Sequence, residues 1–151
     1  MRIISGSNKG KKLILPNDKT TRPLKDMAKE SVFNILTHAK YVNFHLKDSK
    51  ILDLFSGIGS FGLECISRGS KFVFFLENYP PVLKILKKNI SNLEYDNKSR
   101  IIDIDAFKMN NNTFEKDLKF QIIFCDPPYK EKKIELLIEK IIEMDILEKS
   151  G

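Results

Sequence analysis

Residues 51–62 read Ile-Leu-Asp-Leu-Phe-Ser-Gly-Ile-Gly-Ser-Phe-Gly, an apolar run that passes into a glycine-rich turn. Residues 51–55 are mostly apolar and precede turn-forming residues, which predicts a short buried strand. Apolar positions then recur at helical spacing over 60–68, and Gly69 follows as a helix-ending residue. A strand, a glycine turn and a helix in this order are typical of the first unit of a parallel α/β sheet.

The same alternation of apolar runs and helical segments continues along the rest of the chain. Strands that alternate with helices form parallel sheets covered on both faces. Right-handed crossovers then predict a doubly wound, Rossmann-like sheet with strand order 3-2-1-4. The predicted strands span 51–55, 72–76, 100–104 and 120–125, and the predicted helices span 60–68, 80–93 and 132–147.

Each predicted strand carries an acidic residue at or near its carboxyl end. These residues are Asp53, Glu77, Asp105 and Asp126. In doubly wound sheets, ligands bind beyond the carboxyl ends of the strands, beside the point where the strand order reverses. We therefore expect all four carboxylates to face one crevice.

The glycine turn fits two kinds of cofactor. Gly57-x-Gly59-x-x-Gly62, followed by Glu77 after twenty residues, satisfies the dinucleotide-binding pattern, so NAD stays an alternative. S-adenosylmethionine also needs a close backbone approach and an acidic partner for its ribose. Asp53 favours S-adenosylmethionine, because a carboxylate at the entrance of the turn repels a pyrophosphate and attracts an ammonium and a sulfonium.

The sequence Asp126-Pro127-Pro128-Tyr129 suits chemistry on the exocyclic amino group of a purine. The Asp126 carboxylate and the Pro127 carbonyl are two acceptors that can orient the two N–H bonds of such a group. The prolines fix the backbone, and Tyr129 offers a ring on which a base can stack. These four residues are the predicted catalytic residues, although a Pro-Pro pair is also an ordinary way to end a strand.

The excess positive charge lies in the first third of the chain. Residues 1–50 hold eleven basic and four acidic side chains, whereas residues 51–151 are close to neutral, in a chain of net charge +6. Apolar runs at 2–4 and 12–15 flank a turn and predict a basic hairpin, and a helix is expected over 24–38. We divide the chain into a basic extension, 1–49, and a core, 50–151. The extension fits a polyanionic partner, with a solvated lysine surface as the alternative.

Six sequence blocks together resemble the bacterial 16S ribosomal RNA guanine-N2 methyltransferase family. The resemblance implies a cytoplasmic enzyme that uses S-adenosylmethionine to methylate the N2 amino group of a guanine in 16S rRNA or the small ribosomal subunit. The blocks are Arg2-Ile-Ile-Ser-Gly, Lys9-Gly-Lys-Lys-Leu, Thr21-Arg-Pro, Lys29-Glu-Ser-Val-Phe-Asn-Ile-Leu, Asp53-Leu-Phe-Ser-Gly-Ile-Gly-Ser-Phe-Gly-Leu-Glu and Phe124-Cys-Asp-Pro-Pro-Tyr.

The resemblance also assigns site residues. Asp126 and Tyr129 are implied to hold the guanine, and Glu77 to bind the cofactor ribose. The other expected cofactor contacts are Asp53, Phe55, Gly57, Gly59 and Ser60 along the glycine turn, with Asp105 and Ala106 at the adenine. The expected RNA contacts are Arg2, Lys9, Lys11, Lys12, Arg22 and Lys29.

The end of the chain departs from the family. Relatives continue past the glycine that is Gly151 here into a fifth strand, a helix and a closing hairpin. We therefore expect a chain shortened before strand 5, with strand 120–125 exposed at a sheet edge. A monomer is expected, with pairing through this edge into a dimer as the alternative. An inactive RNA-binding protein of the same fold is a further alternative to the enzyme.

Other features predict structural residues only. Cys65 and Cys125 lie in apolar stretches and are expected to be reduced core residues. Glu64 and Arg68 are one helical turn apart and are expected to pair with each other. No metal site is expected, and no apolar run approaches the roughly 18 residues of a membrane span.

Overall fold

The computed structural model describes residues 1–16, 26–38, 45–128, 131–149 and 151. Four strands form one parallel sheet: β1 (Lys50–Leu54), β2 (Phe72–Leu76), β3 (Ser99–Ile102) and β4 (Ile122–Cys125). Their order is β3-β2-β1-β4, which confirms the predicted topology. The predicted strand bounds agree with the observed ones to within two residues.

In the described ranges, four α-helices accompany the sheet: α1 (Asp26–His38), α2 (Ser60–Ser67), α3 (Pro80–Asn92) and α4 (Ile134–Glu143). Gly69, with φ of 103°, follows the end of α2 as expected. Pro80 and Pro81 open α3, where their missing N–H groups leave no hydrogen bond unmade. The predicted residues 24 and 25 of α1 lie outside the described residues.

The two faces of the sheet have separate cores, because successive strand residues point to opposite sides. Ile51, Val73 and Phe75 face a cluster formed with α1, α2, α3 and the N-terminal residues. Leu52 and Phe74 face the second cluster, which includes α4 and the long connection between β3 and β4. Burial on both faces explains why the strands are continuously apolar rather than alternating.

One prediction about the outer side of β4 is wrong: residue 120 is not exposed there. Phe120 was expected to be exposed at the edge, but it has no exposed surface. Its backbone N–H donates to the Ile146 carbonyl (2.8 Å), and the Glu148 N–H donates to the Phe120 carbonyl (2.9 Å). Helix α4 therefore ends earlier than predicted, at Glu143 rather than at residue 147, because the residues around Leu147 bridge to Phe120 in parallel.

Residues 1–16 form the expected basic hairpin, although it has one antiparallel bridge, Arg2 with Lys12, rather than two full strands. Ile3 and Leu13 are buried in the first core cluster. The hairpin thus packs on the helices as an outer layer, and the division of the chain at residue 49 stays a prediction. No helix in the described part of the chain is long and apolar enough to cross a membrane.

Candidate active site

The register of the sheet places the carboxyl ends of the four parallel strands at the same end of the sheet. Leu54 of β1 pairs with Leu76 of β2 and with Cys125 of β4, and Leu76 pairs with Ile102 of β3. The residues that follow, which include Glu77 and Asp126, therefore leave the sheet side by side. The charges of both raise the pKa of Asp53, which agrees with this proximity.

The glycine turn joins β1 to α2 through residues with positive φ. These are Phe55 (56°), Gly57 (55°) and Gly59 (82°). A Cβ on Gly59 would lie 2.5 Å from a methyl carbon of Leu86, so any other residue would displace that side chain as well as strain the backbone at positive φ. Ser60, the last predicted cofactor contact in this turn, is buried as the first residue of α2.

Glu77 holds the turn from the end of β2. One carboxylate oxygen accepts the Gly57 N–H (2.8 Å), and the other accepts the N–H groups of Asn78 (3.0 Å) and Tyr79 (2.9 Å). A carboxylate has about four lone-pair sites, so acceptor capacity is left for a ribose hydroxyl. Glu77 is therefore fixed in orientation by three backbone donors before any ligand binds.

Asp53 lies beneath the turn with 1% of its surface exposed. Its Oδ2 accepts the Gly62 N–H at 3.0 Å in the first turn of α2. Burial raises the pKa of Asp53 to about 8; the Gly62 bond opposes this shift, and the charges of Asp126 and Glu77 add to it. A cation bound nearby would lower this pKa and favour the ionised form.

Asp105 lies beside the end of β2. Its Oδ1 accepts the Phe107 N–H (3.0 Å) and caps the short 3-10 helix Ala106–Lys108. Asp105 and Asn78 both line a cavity of about 560 Å³, whose other wall includes Lys108 and Asn110. Ala106 is buried behind this cavity. The sheet register places the four predicted carboxylates at or just beyond the carboxyl ends of the strands. Of the four, Asp105 alone lines this cavity, so a single crevice shared by all four stays a prediction.

Asp126 is exposed directly beyond β4, and desolvation raises its pKa. The Pro128 carbonyl accepts the Glu131 N–H (2.8 Å). Tyr129, the predicted stacking residue, lies outside the described residues. The neighbouring Cys125 is not a nucleophile, because burial raises the pKa of its thiol to about 11.

The predicted RNA contacts have three different outcomes. Arg2, Lys9, Lys11 and Lys12 are exposed on the hairpin, and Arg22 lies outside the described residues. Lys29 has no exposed surface, so the prediction of an RNA contact is wrong for this residue. Its Nζ donates to the Arg2 carbonyl (2.8 Å) and lies 3.4 Å from Glu64 Oε2.

The pairing of Glu64 with Arg68 is confirmed at 2.8 Å, but the sequence analysis missed the other partners of this carboxylate. Glu64 also accepts the backbone N–H groups of Ile4 (2.8 Å) and Ser5 (2.9 Å). The sequence does contain a signal for Lys29, since it precedes the core residue Phe33 by one helical turn. No cluster with the composition of a metal site occurs among the described residues.

The family model described as Conserved hypothetical protein 95 matches residues 1–151. The chain belongs to this family. It is 34% identical over 151 residues to YlbH of Bacillus subtilis, a protein named as an rRNA methyltransferase. The alignment covers 100% of this chain and 79% of YlbH. It is 35% identical over 147 residues to ribosomal RNA small subunit methyltransferase D of Haemophilus influenzae, with 92% and 71% covered.

Among solved structures, yhhF from Escherichia coli superposes with a TM-score of 0.79 at 28% identity, over 98% of this chain and 75% of that one. The resemblance drawn from the sequence is thereby confirmed. The chain is an enzyme of the methyltransferase class within the Conserved hypothetical protein 95 family.

Proposed function

We propose that the protein transfers a methyl group from S-adenosylmethionine to the exocyclic N2 atom of a guanine in small-subunit ribosomal RNA. The main support for this proposal is the register of the sheet. The glycine turn follows β1, and Glu77 and Asp126 follow the two strands that pair with β1, all at the carboxyl end of the sheet. The substrate class agrees with the rRNA methyltransferases that the chain resembles. The cytoplasm is the expected place of action, and a monomer the expected form.

The cofactor side of the site fits a positively charged donor. Gly57 and Gly59 let the backbone approach a ligand closely, and Glu77 is oriented to accept ribose hydroxyls. A bound cation would stabilise the ionised form of the buried Asp53 carboxyl, whereas a bound pyrophosphate would disfavour its ionisation. Phe55 and Ser60 flank the turn, and Asp105 with Ala106 would meet the adenine beside Asn78. When bound, S-adenosylmethionine supplies an electrophilic methyl group on a sulfonium.

Asp126 and the Pro127 carbonyl would orient the guanine amino group, which is a poor nucleophile because its lone pair is delocalised. Two acceptors for its two N–H bonds turn the lone pair toward the methyl carbon. Transfer breaks the donor's carbon–sulfur bond, forms the carbon–nitrogen bond and leaves a proton to be lost from nitrogen. Asp126, with its raised pKa, is suited to accept that proton. We assign Tyr129 the stacking of the base.

The exposed basic residues of the hairpin would bind the RNA backbone. Lysine and arginine contacts to phosphates position an RNA without reading its sequence, so they suit a large structured substrate. Arg22 belongs to the same proposal. The proposed contacts on the hairpin are Arg2, Lys9, Lys11 and Lys12.

Calorimetry separates the candidate cofactors, and replacement of Asp126 tests the chemistry. S-adenosylhomocysteine should bind the protein and NADH should not; the opposite result would favour an oxidoreductase.

Asp126→Ala should reduce methyl transfer to unmodified small ribosomal subunits by about 100-fold or more while leaving S-adenosylhomocysteine binding intact. Asp126→Asn, which keeps one acceptor oxygen, should lose less. Glu139→Ala on the exposed side of α4 is the control. Unchanged transfer by Asp126→Ala would contradict the proposal.

A further inference from the structure

A buried asparagine on α3 connects the hairpin to the glycine turn. Asn89 has 1% of its surface exposed. Its Oδ1 accepts the Ile14 N–H (2.8 Å), and its Nδ2 donates to the carbonyl oxygens of Ile14 (3.2 Å) and Ile58 (3.1 Å). One amide therefore bonds both backbone groups of a hairpin residue and one carbonyl in the turn between Gly57 and Gly59.

The other anchors of the hairpin do not reach this turn. Glu64 accepts the N–H groups of Ile4 and Ser5 near the middle of α2. Ser67 donates to the Ser5 carbonyl (2.6 Å) and accepts the Asn8 N–H (3.1 Å) at the end of that helix. Tyr95 lies 3.3 Å from the Ser7 hydroxyl at the hairpin tip. Among the hairpin's side-chain hydrogen bonds in the described residues, those of Asn89 alone continue into the glycine turn.

Asn89 and Glu77 hold adjacent residues of that turn. The Gly57 N–H donates to Glu77, and the next residue, Ile58, gives its carbonyl to Asn89. Ile58 is 2% exposed, and Gly59 packs against Leu86 with no space for a side chain. A displacement of the hairpin strand at Ile14 therefore has a direct hydrogen-bonded path to the backbone that is proposed to contact the donor.

We propose that Asn89 is a positioning residue that couples RNA binding at the hairpin to methyl-donor binding at the glycine turn. This inference rests on the proposed function, since it takes the hairpin as the RNA contact and the turn as the donor contact. RNA bound on the hairpin fixes Ile14, which fixes the Ile58 carbonyl and the turn in the donor-binding arrangement. Coupling between two sites is reciprocal, so the donor tightens RNA binding by the same factor.

The test is the effect of RNA on donor affinity. Calorimetry gives the Kd of S-adenosylhomocysteine for the full chain, alone and with saturating unmodified 16S rRNA transcript. We expect RNA to lower this Kd about fivefold or more in the unaltered protein. Asn89→Leu keeps the approximate size of the side chain and removes all three hydrogen bonds, so the ratio of the two Kd values should fall to about one.

Tyr95→Phe is the matched control. It removes a buried hydroxyl that contacts the hairpin at Ser7 and does not contact the turn. The Kd ratio of Tyr95→Phe should equal that of the unaltered protein, whereas a general loosening of the hairpin would reduce both ratios. A ratio near one in the unaltered protein, or an unchanged ratio in Asn89→Leu, would overturn the inference.

Hydrogen exchange on the unaltered protein keeps the inference testable if Asn89→Leu does not fold. S-adenosylhomocysteine should slow exchange of the Ile14 amide, whose acceptor is Asn89, and leave the Ser7 amide unchanged. Equal exchange at Ile14 with and without the ligand would overturn the coupling. Failure of the proposed function differs from both results, because S-adenosylhomocysteine would then not bind at all.

Discussion

At the scale of single residues, Asp53 makes a structural hydrogen bond and also has a raised pKa. Its carboxylate accepts the Gly62 N–H and so fixes the start of α2 against β1. Burial also raises its pKa to about 8, so the carboxyl is largely protonated at neutral pH before a ligand binds. A buried acid whose charged form is stabilised by a bound cation is a site prepared for that cation.

Asp53 should make the stability of the protein depend on pH. Its pKa is about 8 in the folded chain and near 3.8 when unfolded, so the folded state binds the extra proton between these values. The free energy of unfolding should therefore fall as pH rises from about 4 to 8. Asp53→Asn keeps an acceptor for Gly62 and removes the titration. Relative to the unaltered protein, it should gain about 4 kcal/mol between pH 5 and pH 9 in urea denaturation, at 1.36 kcal/mol per pH unit over the three units up to the folded pKa. Parallel pH profiles would contradict this.

Lys29 and Glu64 should behave as a buried pair. Lys29→Met leaves the buried Glu64 charge with Arg68 and two backbone N–H groups as its remaining partners, so it should lower the free energy of unfolding by about 1–3 kcal/mol in urea denaturation. The double replacement with Glu64→Gln should cost less than the sum of the two single changes. Lys12→Met, on the exposed hairpin, should change stability by less than about 0.5 kcal/mol. If Lys29→Met were as stable as Lys12→Met and lost only RNA affinity, the burial of Lys29 would be wrong.

At the scale of elements, the glycines at positions 59 and 62 allow α2 to pack closely against its neighbours. A Cβ on Gly62 would lie 2.3 Å from the Phe75 ring, so this glycine sets the distance between helix and sheet. Gly59 sets the distance to α3 in the same way. Gly59 is therefore required by packing as well as by its positive φ, whereas Gly62, inside α2, is required by packing alone.

Gly62→Ala should destabilise the protein by about 1–3 kcal/mol, because the added methyl group overlaps the Phe75 ring. Thermal and urea denaturation measure the loss. The double replacement Gly62→Ala with Phe75→Leu should recover part of it by making space. Gly10→Ala is the control, since Gly10 has positive φ but no atom within 4 Å of an added Cβ, and it should cost about 1 kcal/mol. Equal losses at both glycines, with no recovery in the double variant, would exclude overpacking as the cause.

At the scale of the whole molecule, the N-terminal hairpin and the sheet share one core. Ile3 of the hairpin and Ile51 of β1 belong to the same buried cluster, and both have no exposed surface. Glu64 and Asn89 tie both strands of the hairpin to α2 and α3 through backbone hydrogen bonds. The basic surface proposed to bind RNA and the turn proposed to bind the methyl donor are therefore parts of one packed unit.

Residues 1–16 should unfold together with the sheet. Circular dichroism should show one urea transition, and hydrogen exchange should give the Ile3 amide a protection similar to that of the Ile51 amide. The physical reason is that loss of the hairpin exposes the first core cluster. Early exchange at Ile3, well before Ile51, would instead indicate that the hairpin is an independent extension.

The sequence was sufficient to predict the strand order and to predict the candidate site at the carboxyl ends of the strands, because apolar runs and crossover rules depend on local pattern. For Lys29 the spacing from Phe33 indicates the core-facing side of α1, but the basic segment around it indicates the surface, and the glutamate that decides between them lies far away in the sequence. The pairing of Phe120 with Ile146 and Glu148 was missed for a similar reason. Asn89 also gave no signal, because its three hydrogen bonds join residues 31 and 75 positions away.

The most direct test of the proposed chemistry is transfer of a tritiated methyl group from S-adenosylmethionine to small ribosomal subunits that lack this modification. Digestion to nucleosides then identifies the labelled product. We predict label in N2-methylguanosine with the unaltered chain and at least about 100-fold less label with Asp126→Ala. Label in another nucleoside, or equal label with both proteins, would contradict it.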